Sequence, residues 1–353
     1  MNNKALKVLT AMCLWLLLVT AALCAYGWQW LHEKRVMFVN DSSYQVNSGA
    51  SLHFVARDMR AKGIIHWPEI WLLYAKFTNQ SNIKAGEYIF ERIESPVSIL
   101  KKINDGKVTQ YSITFIEGTR FKDFLAKLHS HEKIRNTLNK DNIIEQLNAA
   151  GIDIDHVEGW FYPDTFQFSA GDTDISLLLR AHKKMKHVLL QEWQKKDKDL
   201  PYKSAYEALI MASIVEKETG AKHERAQIAG VFTRRLEKRM RLQTDPTVIY
   251  GMGDRYDGNI RRRDLRARTP YNTYVIKGLP PTPIAMPGRA AIVASLHPEP
   301  GETLYFVAKG DGSHHFSKSL DEHNRAVAKY QKKRRKNYRS APAVSQDKQE
   351  DRR

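Results

Sequence analysis

The segment ALIMASIVEKETG, Ala208–Gly220, carries two carboxylates at the end of an apolar run. Leu209, Ala212 and Val215 recur at helical spacing with Ile210 and Ile214 beside them, which predicts a buried helix. Glu216 and Glu218 stand two residues apart, about 200° around such a helix, so they cannot both face one cleft. Gly220 is a natural C-terminal stop and puts Glu218 in the last turn. A carboxylate there meets the negative end of the helix dipole, which disfavours ionisation and raises its pKa. A glutamate that keeps its proton near neutral pH can act as general acid on a glycosidic oxygen. The spacing alone fits two solvated glutamates on an exposed helix end at least as well.

Other chemistries find no foothold. The chain has no Gly-rich phosphate loop, no H-E-x-x-H and no G-x-S-x-G. Its 13 histidines are scattered, and the pair His314-His315 lacks ligand spacing, so neither a metal nor a cofactor is expected. Only two cysteines occur, Cys13 and Cys24, which excludes a disulfide framework and a zinc cluster. Of the formal charge of +17 on 353 residues, a disproportionate share falls in the tail after Lys329. The mild excess elsewhere suits a polyanionic neighbour, and no module for reading nucleic-acid bases is present.

The elements that must position Glu218 begin with an apolar N-terminus. Val8–Trp30 runs 23 residues without a charge, about 34 Å as a helix and long enough to span a bilayer. A cleaved signal peptide is the alternative. The length of the run and the interfacial residues Trp28 and Trp30 favour an uncleaved anchor. Both cysteines lie in this run, and the cysteine-free body suits an exported domain. The reading is therefore a cytoplasmic 1–7, a membrane span 8–30, and residues 31–353 outside the cytoplasm.

Residues 36–108 read as a small α/β module. Tyr44–Leu52 alternates and turns at Ser48-Gly49, helices follow from Leu52 and from Trp67-Pro68, and Glu87–Glu91 forms a short strand. Ser95-Pro96 caps a helix to about Asn104, and Val108–Phe115 alternates as a strand. Beyond it the chain is mostly helical, over Phe121–His129, Asp141–Ala150, Asp174–Lys196 and Lys203–Glu218. Region 231–252 reads as a basic helix followed by a turn-rich stretch. Thr269–Gly288 holds five prolines and cannot be a long helix. Ala290–Leu296 reads as a helix and Thr303–Val307 as a strand. The fold class is thus α+β, with a basic and disordered tail over 331–353.

Several blocks then carry a resemblance. IVEKETG, VEGWFYPDTFQF (Val157–Phe168), RLEKRMRLQTDPTVIYGMG (Arg235–Gly253), TPYNTYVIKGLPPTPIAMPG (Thr269–Gly288) and LYFVAKGDGSHHFSKSLDEHN (Leu304–Asn324) resemble, in order, the motifs of the endolytic murein transglycosylase (MltG, YceG-like) family. The start Tyr44–Leu52 resembles the opening of LysM modules, which bind peptidoglycan glycan. The resemblance implies a LysM-like module over 36–108 and a mainly helical, lysozyme-like catalytic domain over 109–330. It implies a lytic transglycosylase of the inner membrane, its catalytic domain in the periplasm. Such an enzyme cuts the MurNAc–GlcNAc β-1,4 bond within strands, leaves 1,6-anhydroMurNAc ends, and limits the length of nascent strands.

Glu218 matches the family's catalytic glutamate, and Thr219 fits the accompanying E-[ST] pattern. Glu158, Tyr162, Asp164, Gln243, Thr244, Asp245, Tyr250, Tyr271, Asn272, Thr273, His314 and Asn324 match motif positions and are expected to bind substrate. For each of these twelve, a packing or capping role is an equal alternative. Peptidoglycan is the implied partner, with glycan-polymerising synthases in the same membrane a further one. Two rival readings stay open. A muramidase would use water as nucleophile with Asp245 as second carboxylate, and a non-catalytic wall-binding or assembly factor would not need Glu218.

Overall fold

The computed structural model describes residues 3–34, 36–37, 42–47, 49–218 and 220–331. Expectations for Ser48, for Thr219 and for the tail from residue 332 onward lie outside the described residues. The charge-free run and its flanks form one helix, α1 (Asn3–His32). Leu6–His32 is long and apolar enough to cross a membrane. The chain divides into two units, one of Met1–Ser112 with Gln167–Asp172, the other of Ile113–Phe166 with Thr173–Arg353.

In the first unit α1 is followed by β1 (Val36–Met37), β2 (Ser42–Val46), α2 (Leu52–Ala61), α3 (Pro68–Phe77), β3 (Gly86–Phe90), β4 (Ile93–Glu94), α4 (Pro96–Asp105) and β5 (Gln110–Thr114). The helix starts follow capping chemistry. Ser51 accepts the Phe54 N–H and Ser95 the Ser98 N–H, while Pro68 and Pro96 occupy first-turn positions that need no donor. β2 and β3 pair antiparallel with Tyr44 opposite Tyr88, and β1 pairs with β4. Leu52, Val55, Ala56 and Met59 of α2 are buried, as their spacing requires. Trp71 of α3 is fully buried, and its indole N–H donates to the Pro96 carbonyl at 2.8 Å, which ties α3 to α4. Each fully buried apolar side chain of this core contributes roughly 1.5–3 kcal/mol.

The second unit runs through α5 (Phe121–His129), α6 (Ile143–Ala149), β6 (Thr165–Ser169), α7 (Asp174–Trp193), α8 (Ala205–Glu218), α9 (Arg225–Glu237), α10 (Asp245–Met252), α11 (Arg262–Arg266), α12 (Arg289–Leu296), β7 (Tyr305–Ala308), β8 (His314–Ser317) and α13 (Leu320–Tyr330). β5 pairs with β6. Gln110 and Ser169, bonded at 3.0 Å, belong to the first unit, and Thr114 and Thr165, 2.9 Å apart, to the second. β7 and β8 form an antiparallel hairpin. α8 is the central helix. Every residue from Ala208 to Val215 is buried, and α7, α9, α10 and α12 all pack on it. A helix apolar on all sides has to be enclosed by others.

The sequence reading differs from this at several short elements. The stretch before Gly253 is helix α10 rather than a run of turns, because Pro246 sits in its first turn, where a missing N–H costs nothing. β6, β8 and α13 were not anticipated. The two strands are too short for alternation to stand out, whereas α13 carries a readable capping box, Ser319 with Glu322. The Pro-rich segment 269–288 is irregular, as expected, and is fixed to the core by the Ile284 N–H donating to Ser213 Oγ at 3.0 Å.

Gly159 has φ +85°, and a Cβ there would overlap the Pro283 ring. Gly159→Ala therefore combines left-handed backbone strain with an overpacked contact, and should cost on the order of 2–4 kcal/mol. The urea unfolding midpoint measures this. An unchanged midpoint would show that Pro283 yields without cost.

Candidate active site

Glu218 is the last residue of α8, so its carboxyl leaves the apolar core just as the helix ends. Thr244 Oγ1 donates to Glu218 Oε1. Burial pushes the Glu218 carboxyl up to about 7, and the neighbouring charge of Asp245 adds to the rise. The Thr244 hydrogen bond and the positive charge of Arg235 pull the other way. The raised value was expected from the helix end. Its main source is desolvation, with Asp245 as the charged contributor.

Thr244 is held by a layer of buried polar groups. Its N–H donates to Thr273 Oγ1 at 3.1 Å, and the Thr247 hydroxyl donates to its carbonyl at 2.8 Å. Gln243 stands at φ +53°, an uncommon conformation for a residue with a side chain. Its N–H donates to the Thr273 carbonyl at 3.2 Å. The Gln243 Oε1 accepts from Arg235 at 3.3 Å. The same guanidinium, 7% exposed, donates to the carbonyls of Leu304, Arg241 and Leu242 and lies over the Tyr305 ring. Asp245 accepts the Tyr274 hydroxyl at 2.7 Å. Burial and that acceptor raise the phenol pKa. Asn272 donates to the carbonyls of Asp264, Leu265 and Ala267 and accepts from the Tyr274 N–H, which sets the position of Tyr274. Thr244, Asn272 and Thr273 are thus buried, and their polar groups bond within the protein.

A second group forms around Glu158, 4% exposed. It accepts the Phe121 N–H at 2.8 Å, at the start of α5, and the Tyr250 hydroxyl at 3.2 Å. Burial pushes its carboxyl up to about 7, against the pull of both hydrogen bonds. Tyr250 packs on Tyr271, whose hydroxyl lies 2.9 Å from Thr282 Oγ1. Tyr162 and Asp164 share Lys184, which lies over the Tyr162 ring and pairs with the Asp164 carboxylate. Trp160 is half-buried and stacks on Tyr206 at 5.4 Å, whereas Phe161 is fully buried and offers no face to a ligand. His314 Nδ1 lies 2.7 Å from Glu224, which also accepts the His314 N–H. Asn324 is an exposed residue of α13. The structure therefore brings Gln243, Thr244, Asp245 and Thr273 to Glu218, and groups Glu158, Tyr250 and Tyr271 separately.

Glu216 is not solvated. It pairs with Arg225 at 3.1 Å and accepts the Gly288 N–H at 3.0 Å, at the start of α12. Burial raises its pKa, and these two partners oppose the rise. Its role is to fix α12 and α9 to the end of α8. Sequence reasoning had passed over Arg235, Arg225 and Glu224. For Arg235 the signal was present, since Ile228, Phe232 and Arg235 share the buried stripe of α9 and a charge on such a stripe needs internal partners. Among the described residues no group of three or more His, Cys, Asp or Glu could hold a metal ion.

Fold and site together define a mixed helix–strand protein whose helical unit carries a buried, proton-holding glutamate at the end of its central helix. Residues 44–329 match the YceG-like family. An endolytic murein transglycosylase of Bacillus subtilis (strain 168) is 32% identical over 311 residues, 82% of this chain and 86% of the relative. Another, of Streptococcus pneumoniae (strain ATCC BAA-255 / R6), is 26% identical over 343 residues, which is 86% of this chain and 62% of the relative. The crystal structure of a YceG-like protein from Listeria monocytogenes aligns with a TM-score of 0.52 at 30% identity, over 80% of this chain and 98% of that one. The chain belongs to the YceG-like family.

The pKa of Glu218 has a consequence for stability. A carboxyl with a folded pKa near 7, against 4.5 as the ordinary value, binds its proton more tightly when folded. Its ionisation therefore costs stability progressively as pH rises from about 4.5 to about 7, and in full above that, on the order of 3 kcal/mol. Glu218→Gln keeps the acceptor for Thr244 and removes the charge. Its melting temperature should exceed that of the wild type at pH 8 and match it at pH 4. Equal melting at both pH values would mean that Glu218 titrates normally.

Proposed function

We propose that Glu218 is both the acid and the base of a lytic transglycosylase acting within peptidoglycan strands. The chain's family is that of the endolytic murein transglycosylases, and it is an enzyme of this lyase class. The observation that carries the residue assignment is the Glu218 carboxyl itself, desolvated, held by a hydroxyl and poised near neutrality. Protonated, it gives its proton to the glycosidic oxygen between MurNAc and GlcNAc as that bond breaks. The resulting carboxylate takes the proton of the MurNAc C6 hydroxyl as its oxygen closes on C1. A 1,6-anhydro ring forms and no water is consumed. A pKa near the working pH serves both steps equally well. The nucleophile is part of the substrate, so a second carboxylate is not required. The bond from Tyr274 to Asp245 Oδ1 fits this reading, since it gives the carboxylate that a muramidase would use on water a structural partner instead.

Around that centre, Tyr162, Asp164, Gln243, Asp245, His314 and Asn324 are proposed to meet the sugar and peptide groups of the strand. The half-buried face formed by Trp160 and Tyr206 suits stacking on a pyranose ring. The buried Glu158, Thr244, Asn272 and Thr273, with Tyr250 and Tyr271, act by positioning. We place α1 across the bacterial cytoplasmic membrane with the body in the periplasm, where a glycan-polymerising synthase would supply nascent strands. The first unit contributes glycan affinity in this proposal. A cleft of about 970 Å³, where polar Ser51, His53, Lys76, Ser81 and Asn82 alternate with apolar Leu72, Leu73 and Ile83, is the place proposed to receive a sugar chain.

Two measurements bear on these assignments. Glu218→Gln should lower product formation by about 10²–10⁴-fold, while wild-type products end in anhydro residues one water lighter than reducing ends. Reducing ends from the wild type would establish the muramidase reading instead. Glu216→Gln should keep activity within about tenfold, since it acts on the site only through local electrostatics. Its cost should appear as a lower melting temperature, because Arg225 loses its charged partner.

For the cleft, Asn82→Arg introduces a long side chain at an exposed position. Co-sedimentation with insoluble peptidoglycan should weaken while turnover of soluble strands persists. Undiminished sedimentation would reduce the first unit to a spacer.

A further inference from the structure

One stripe of α3 is only partly covered. Ile70, Leu73, Tyr74 and Phe77 follow the i, i+3, i+4, i+7 pattern of a single apolar helix face. The first part of that face meets the end of α1. Trp67 packs on Tyr26 and Trp30, with ring centroids 5.5 and 5.1 Å apart, and Tyr74 meets Trp28 and His32 at 6.3 and 5.7 Å. Ile70 lies against Gly27, where a Cβ would sit 3.8 Å from its side chain. Along α3 the contacts pass from Tyr26 and Trp30 to Gly27 and then to Trp28 and His32, three successive faces of α1 at nearly one level, so α3 runs across α1 rather than along it. Trp71 and Ala75, on the other side of α3, enter the core of the unit. Phe77, 80% exposed, and Leu73, 55% exposed, continue the stripe beyond α1 and away from that core.

We infer that the end of α3 rests in the headgroup region of the membrane that α1 enters, with Phe77 inserted among the lipids. The inference depends on α1 being a membrane span. A helix lying across a span lies near the membrane plane. The apolar stretch of α1 beginning at Val8 reaches about 30 Å, one hydrocarbon thickness, near Gly27, so the α3 crossing falls at the interface. Tyr26 and Trp28, both exposed, stand at the same level, as aromatic residues do at such boundaries. Lys34 after α1 is exposed and suits anionic headgroups. An in-plane helix with one apolar face and a charged opposite edge is a common mode of shallow membrane binding. The unit would then be held at two points, which fixes its orientation on the membrane rather than leaving it to swivel about α1.

Leu73 also borders the cleft, so Phe77, which does not, is the position to test. A single nitroxide is attached to Phe77→Cys in full-length protein lacking Cys13 and Cys24, reconstituted in phosphatidylethanolamine–phosphatidylglycerol vesicles. A second sample carries it at Glu69→Cys and a third at the native Cys13 alone. The label at 77 should collide more with dissolved oxygen than with a water-soluble nickel chelate, as should the label at Cys13, and the label at 69 the reverse. A label at 77 as open to nickel as that at 69, with Cys13 still in lipid, overturns the inference and leaves the anchor intact. Protection of 77 from both reagents would mean a protein surface covers it, which also overturns it. Nickel access at Cys13 removes the anchor and the inference together.

Discussion

Everything around the candidate site answers one constraint: a carboxyl that leaves a wholly apolar helix must be satisfied without being neutralised. A cation in direct contact would hold Glu218 ionised and remove its proton at neutral pH. The structure supplies a hydroxyl instead, from Thr244, and a like charge nearby, from Asp245. Arg235 stands close enough to be felt, yet its guanidinium donates to three backbone carbonyls and to Gln243. It therefore attracts the carboxylate without pairing with it. Two residues earlier on the same helix the opposite solution appears, because Glu216 has Arg225 and a backbone N–H for partners. One helix end thus holds two carboxylates in two roles, separated by their surroundings.

Much of this was legible in the sequence. The helix around Ala208–Val215, the different faces of Glu216 and Glu218, and the non-helical Pro-rich segment all follow from periodicity and from proline chemistry. Gln243, Thr244, Asp245 and Thr273 are four of the twelve motif positions expected to bind substrate, and the fold puts them beside Glu218 while Tyr250 and Tyr271 group with Glu158. What sequence could not apportion is which polar residues face outward and which bond within the protein. Asn272 and Thr273 look like ligands by type, yet their partners are carbonyls and hydroxyls brought close only by the folded loops. The same holds for Phe161, whose aromatic type suggests a sugar platform and whose complete burial denies it. The cause of the raised Glu218 pKa was likewise assigned locally, to the helix end, because burial by α9, α10 and α12 is a tertiary property.

The short elements show where local signals run out. β6 and β8 have five and four residues, lengths at which alternation cannot be told from chance. α10 was hidden because its first turn contains a proline, a residue that usually marks a helix boundary. α10 and the hairpin that contains β8 nevertheless serve the site. α10 begins at Asp245 and carries Thr247, and the β7–β8 hairpin starts beside the Leu304 carbonyl that anchors Arg235.

Burial also bears on the outcome of the proposed reaction. The desolvation that raises the Glu218 pKa also limits water around the carboxyl. A hydrolase needs a water molecule held and activated on the far side of the broken bond, usually by a second carboxylate. In the transglycosylase reaction the attacking hydroxyl arrives attached to the sugar, at an effective concentration that bulk water does not match. A single desolvated glutamate therefore disfavours hydrolysis twice, by withholding a second base and by keeping solvent from the first. It favours ring closure for the same reasons, because after protonating the leaving oxygen its carboxylate is a stronger base than one in water and the C6 hydroxyl supplies the proton it takes back.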